Sequence, residues 1–295
     1  MDQRAASRLR LLAAAGLFST GAAGIKATTL TGWQVAGLRS GVAALALLVL
    51  LPQARQLNRP RVWLVGCAYA GTLVCYAVAN KLTTAANTIF LQSTAPLYVL
   101  LLAPLLLREP VRRRDLLLMA WIAAGMAFFF VGQEEPTRLA TNPLLGNLLG
   151  LASGAFWAVT LMGLRWLERS TADSAGGLGA ASVVAGNTLA FLLTLPFALP
   201  IAAAHPADAA WILYLGVVQI GLAYYFLTAA MGQVPALEAS LLLMLEPVLT
   251  PLWAWAMHGE TPSGWALVGG AVILAATVTK TVAEGWELRA LRRRT

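Results

Sequence analysis

A carboxylate and a proline, Glu246 and Pro247, stand inside the otherwise apolar stretch "LEPVLTPLWAWAMHGE" at residues 245–260. An ionisable group in such a run can carry a coupling proton or hold an amine; the alternative is a neutral glutamate bonded to a neighbouring helix. Arg39 poses the same question with the opposite charge. It either snorkels its guanidinium to an interface, the first expectation for a long cationic side chain, or meets a carboxylate of the protein or of a substrate. Groups suited to binding recur at helical spacing. Tyr69, Thr72, Tyr76 and Asn80 are 3, 4 and 4 residues apart and share one helix face. Gln92 shares a face with Pro96, Ser153 with Trp157 and Thr160, while Gly221, Tyr224, Tyr225 and Thr228 cluster. Such amide, hydroxyl and aromatic groups suit a zwitterion or a flat metabolite. The expected substrate-binding set is Trp157, Tyr76, Asn80, Gln92, Thr20, Ser153, Tyr224 and Tyr225. The competing reading of each aromatic is a membrane-interface belt residue. It suits Trp63, Trp121, Trp211, Trp265 and Trp286 near the ends of apolar runs better than it suits Trp157 or Tyr76.

Other chemistry has no visible home. No nucleophile–base pair or phosphate loop stands out, so the chain is not expected to be an enzyme. Cys67 and Cys75 share one run without disulfide or metal spacing, and His205 and His258 lie far apart near run ends. No metal and no other cofactor is expected.

The elements that must position these residues are long and apolar. Of 295 residues, 59% are hydrophobic and 12% charged, with a mean hydropathy of +0.71; soluble domains carry about 25% charged residues. Ten runs approach the roughly 20 residues needed to cross a bilayer as a helix: 10–26, 33–51, 61–80, 84–107, 115–132, 145–166, 177–199, 209–231, 235–257 and 264–283. They do not alternate polar and apolar residues as barrel strands do. The first run, preceded by Arg4, Arg8 and Arg10, resembles a signal peptide, but nine further runs favour an uncleaved helix. With the N-terminus in the cytoplasm, cytoplasmic segments hold 17 of the 21 Lys and Arg. Lys26, Lys81 and Arg138 fall on the other side, and Arg39 within the second run. The positive-inside pattern predicts cytoplasmic termini and assigns the net charge of +8 to a lipid bilayer, not to nucleic acid.

The chain also repeats itself. At an offset of 151, residues 85–124 and 236–275 share 10 of 40 positions, and Pro96 falls on Pro247 and Glu109 on Glu260. Glu246 falls on Ala95, so the first copy lacks that carboxylate. The prolines are expected to bend their helices, because Pro cannot donate to the carbonyl four residues back; the partners lost are at positions 92 and 243. Glu109 and Glu260 close helices beside turns and are expected to be structural. Each copy spans five runs, so the second enters the membrane in the opposite sense. Two inverted copies can alternate between inward-open and outward-open states around one site.

"VPALEASLLLMLEPVLTPLWAWAMHGETPSGWALVGGAVILAAT", 234–277, resembles the EamA repeat of the drug/metabolite transporter superfamily. The shared features are a small-residue segment, a mid-helix Pro, a "GE" at the helix end and a Gly-rich last helix. The first half departs from it, with "RE" at 108–109 and no Glu before Pro96. "LFST" at 17–20 and "GAFWA" at 154–158 are similar to YddG-type amino-acid exporters of that superfamily. The resemblance implies an all-α membrane protein of ten helices, built as two inverted five-helix repeats over 1–140 and 141–295. It further implies an inner-membrane carrier exporting amino acids or similar small metabolites. Carriers of drugs or nucleobases, a lipid-modifying membrane enzyme and a passive channel are the alternatives.

Overall fold

The computed structural model describes residues 3–106, 113–131, 136–169, 177–202, 204–231 and 242–292. Helices α1 (Gln3–Ser19), α2 (Gly21–Ala27) and α3 (Gly32–Leu50) lead through a 3-10 turn, Pro52–Arg55, to α4 (Pro60–Leu82), α5 (Ala85–Gln92) and α6 (Ala95–Leu106). Then follow α7 (Arg113–Val131), α8 (Pro143–Arg169), α9 (Gly177–Ala198) and α10 (Pro206–Leu213). A π-helical stretch, Tyr214–Leu222, continues α10 into α11 (Ala223–Met231), before α12 (Leu245–His258) and α13 (Gly264–Arg292). No strand occurs among the described residues.

Among the described residues, six stretches are long and apolar enough to cross a membrane: Gly32–Leu50, Pro60–Leu82, Ala85–Leu102, Pro143–Leu164, Gly177–Ala198 and Pro206–Ala230. Leu116–Phe130 and Gly264–Thr279 are shorter apolar helices. Side chains such as Val49 (74% exposed) and Leu117 (71%) point outward, which suits a surface facing hydrocarbon. Helix starts follow local chemistry. Thr31 and Gln34 form a capping box at α3, the Thr84 hydroxyl accepts from the Asn87 N–H at α5, and His205 and Asp208 cap α10. Gly259, at φ 67°, ends α12 in the left-handed conformation that glycine adopts without a Cβ clash.

The sequence predicts prolines that bend continuous helices; the structure corrects this, because the helices are interrupted instead. Between α5 and α6 the chain turns at Ser93 and Thr94, and Pro96 is the second residue of α6. Pro247 is the third residue of α12, after a turn at Met244. In a first helical turn an N–H has no intrahelical partner to lose, so proline is tolerated there. Pro251 is the proline inside α12. The first apolar run is also interrupted, at Thr20. At these breaks backbone N–H groups still reach the preceding carbonyls, and hydroxyls add a second donor to the same oxygens: Thr20 Oγ1 donates to Leu17 O (2.7 Å), Ser93 Oγ to Ile89 O (2.7 Å) and Thr94 Oγ1 to Leu91 O (2.6 Å).

Packing pairs α3 with α9 and α7 with α13. Other contacts come in matched sets: α4 against α8 and α9, and the α10–α11 helix against α1 and α3; α5–α6 against α8, and α12 against α1. Small residues allow the close approaches. A Cβ on Gly186 would lie 2.9 Å from Gly66 O, and one on Gly269 would lie 2.7 Å from Gly125 O, the backbone proximity that glycine gives membrane helices.

Candidate functional site

An aromatic chain crosses the middle of the bundle. Trp157 on α8 lies 6.2 Å from Tyr69 on α4 between ring centroids; Tyr69 lies 6.0 Å from Tyr224 on α11; Tyr224 lies 5.2 Å from Phe18 on α1. The last two pairs are edge-on, the arrangement that ring quadrupoles favour. Tyr76 and Asn80 are buried about two and three turns further along the Tyr69 face of α4. Asn80 Nδ2 donates to Tyr76 O (2.9 Å), leaving Oδ1 buried without a partner. Gln92 Nε2 donates to Ser153 Oγ (2.8 Å), which donates to Thr72 O (3.2 Å). This link joins α5, α8 and α4 at the helix break. Thr20 Oγ1 lies 2.9 Å from Tyr214 Oη. At the same break Trp253 Nε1 donates to Ser19 Oγ (2.9 Å) and Thr250 Oγ1 to Ser19 O (3.3 Å), tying α12 to α1.

Two expectations need correction. Arg39 does not snorkel: it is 2% exposed, and its Nη2 donates to Leu73 O at 3.0 Å. It stands seven residues into α3, about 10 Å along the axis at 1.5 Å per residue, on the face turned toward α4. Tyr225 does not join Tyr224 in the cluster. It is 41% exposed, because adjacent residues point about 100° apart on a 3.6-residue helix. It lines an outer cleft of about 310 Å³ with Thr228 and residues 50–53. A second cleft of about 580 Å³ lies beside His205 and Asp208. Neither is lined by Arg39, Tyr69, Trp157 or Glu246.

Glu246, second in α12, is half-buried, and no ion pair holds it among the described residues. Glu109 lies outside the described residues. Glu260 pairs with Lys26 at 2.9 Å, their side chains 5% and 2% exposed. The Lys26 ammonium also donates to Thr83 O (2.8 Å) and Leu139 O (2.7 Å), and Glu260 accepts from the Ala85 N–H that opens α5. Lys81 Nζ donates to Thr28 O (2.7 Å), Asp208 accepts from the Thr29 N–H (2.8 Å) and Oγ1, and His258 Nε2 lies 2.9 Å from Ala23 O. One end of the bundle is thus laced across both halves of the chain. Sequence reasoning missed Asn187 and Gln219, each a lone amide in an apolar run. Both are buried with an unpartnered side-chain oxygen. That isolation is the signal that could have found them.

The EamA-like transporter family model matches residues 9–131 and again 144–280. The chain belongs to the EamA-like transporter family. It is a multi-pass membrane protein of that family. The threonine/homoserine exporter RhtA of Salmonella typhimurium strain SL1344 is 29% identical over 201 residues, 65% of this chain and 61% of that one. The chain therefore matches about three-fifths of that exporter's length. An uncharacterized transporter of Archaeoglobus fulgidus is 25% identical over 220 residues, 72% of this EamA-like chain and 74% of its relative. A crystal structure of a protein covering 97% of this chain and 100% of the other, with TM-score 0.62 and 21% identity, has the same fold.

Proposed function

We propose that this EamA-like transporter is an alternating-access carrier that exports amino acids or similar small metabolites across the bacterial inner membrane. In this reading it has ten spans and cytoplasmic termini, and residues 1–140 and 141–295 are inverted repeats. The observation that carries the reading is the matched packing. Exchanging first with sixth, second with seventh, third with eighth, fourth with ninth and fifth with tenth spans turns α4 against α8 into the α10–α11 helix against α1. It likewise turns α5–α6 against α8 into α12 against α1. Two arrangements related by that exchange can each open one side of a shared centre. The aromatic chain lies between them, contributed by α1, α4, α8 and α11. The twofold family match and the exporter relative support the same reading. Positive-inside orientation places the Lys26 end in the periplasm, where its network holds the outer side shut. The test is counterflow into proteoliposomes containing the purified chain, across amino acids, nucleobases and cationic drugs. Saturable counterflow of amino acids supports the proposal; counterflow confined to another class reassigns the substrate; flux without saturation or counterflow indicates a channel.

A further inference from the structure

We propose that Arg39 and Glu246 are the two poles of a substrate subsite, Arg39 receiving a carboxylate and Glu246 an ammonium, so that the cargo must carry both groups. The inference rests on the carrier reading above. Arg39 is buried on α3 with one side-chain hydrogen bond among the described residues, from Nη2 to Leu73 O, while Nε is buried with no partner. A guanidinium has five donors in a planar fork, and Nε with a terminal nitrogen forms the edge that grips a carboxylate bidentately. No carboxylate of the described residues pairs with it. An uncompensated buried charge is costly, and a ligand anion removes that cost.

Glu246 offers the opposite charge from α12, in the other half of the chain. The two do not form an ion pair. Between them runs the aromatic chain: Thr250 Oγ1 donates to both Glu246 O and Ser19 O, Phe18 beside Ser19 packs on Tyr224, Tyr224 packs on Tyr69 of α4, and Leu73 O of α4 holds Arg39. Asn80 and Asn187 each donate to a carbonyl of their own helix and leave Oδ1 buried and unpartnered. Asn187 also adjoins the Tyr69 hydroxyl. The centre thus holds an orphan cationic donor, an unpaired anionic acceptor and unused amide acceptors. That set is complementary to a zwitterion, and a neutral or purely cationic cargo leaves the arginine unanswered.

The experiment is threonine counterflow in proteoliposomes with three competitors: threonine, threoninamide, which lacks the carboxylate, and N-acetylthreonine, which lacks the ammonium. Wild-type protein is expected to prefer threonine over each analogue by at least tenfold. Arg39→Gln should weaken threonine at least tenfold and erase its preference over threoninamide, while keeping discrimination against N-acetylthreonine. Glu246→Gln should give the mirror pattern. A merely structural role would lower flux of all three compounds together. Wild-type protein that takes the analogues as well as threonine overturns the inference without needing a folded variant, and so does Arg39→Gln that retains the preference over threoninamide. Absence of counterflow for every amino acid tested fails the carrier reading itself and takes this inference with it; threonine counterflow with analogue indifference fails only the inference.

Discussion

Replacing Glu260 by Gln isolates the charge of the Lys26–Glu260 pair. The glutamine keeps an oxygen for the Ala85 N–H and leaves the Lys26 ammonium with the carbonyls of Thr83 and Leu139 alone. Both side chains are at most 5% exposed, so solvent screening does not discount the pair. Removing one partner of a buried ion pair costs about 3–5 kcal/mol, whereas replacing both with apolar groups of similar volume is often close to neutral. The pair joins α2 of one half to the turn after α12 of the other, so in the proposed carrier the loss falls on the state in which this end is shut. A shift of about 5.5 kcal/mol converts a 99:1 mixture into 1:99; a loss of 3–5 therefore brings the two states near balance or beyond. The assay is a double-mutant cycle of Glu260→Gln, Lys26→Met and Lys26→Met/Glu260→Gln. It is read by thermal unfolding in detergent and by labelling of a cysteine at Leu139 with an impermeant maleimide. The singles should melt early and label faster; the double should recover stability. Singles that melt and label as wild type would refute the reasoning.

Trp157→Ala should abolish counterflow while the protein inserts and elutes as wild type, and Tyr225→Ala, on the outer face, should leave it within about twofold; equal effects of the two would dissolve the distinction between cluster and periphery. Gly186→Ala should cost about 1–3 kcal/mol by overpacking, since its Cβ would meet Tyr69 Cδ1 at 2.7 Å and Gly66 O at 2.9 Å; an unchanged melting temperature contradicts the tight α4–α9 contact. Reporter fusions after residues 58 and 112 should read cytoplasmic and one after 138 periplasmic, and a periplasmic signal at 112 overturns the proposed orientation.

The helices were legible because hydrocarbon imposes long apolar runs; their capped starts at Thr31 and Thr84 were not read, because apolar composition alone set the bounds. The interruptions at Thr20 and at Ser93–Thr94 were not legible. Apolar composition continues through them, and a hydroxyl that bonds a carbonyl at a break looks the same in sequence as one on an intact helix. The prolines marked the right places but suggested a bend where the chain starts a new helix. Arg39 was ambiguous because seven residues from a helix start fits both an interfacial and an interior guanidinium; only the packing of α4 against α3 decides between them. Tyr224 and Tyr225 were grouped by proximity in sequence, although the helical period separates their faces. The Lys26–Glu260 pair was out of reach, since its partners are 234 positions apart and meet only through the topology.

The central claim is that one buried centre opens to one side at a time. With Cys67 and Cys75 replaced by serine, Thr20→Cys places a single thiol beside the break in the first span. It can be challenged with impermeant maleimide in right-side-out and inverted vesicles. The account predicts labelling from the cytoplasmic side alone while Lys26–Glu260 is intact, and periplasmic labelling once Glu260→Gln is added. Labelling from both sides with the pair intact, or none from the periplasm after it is broken, would contradict it.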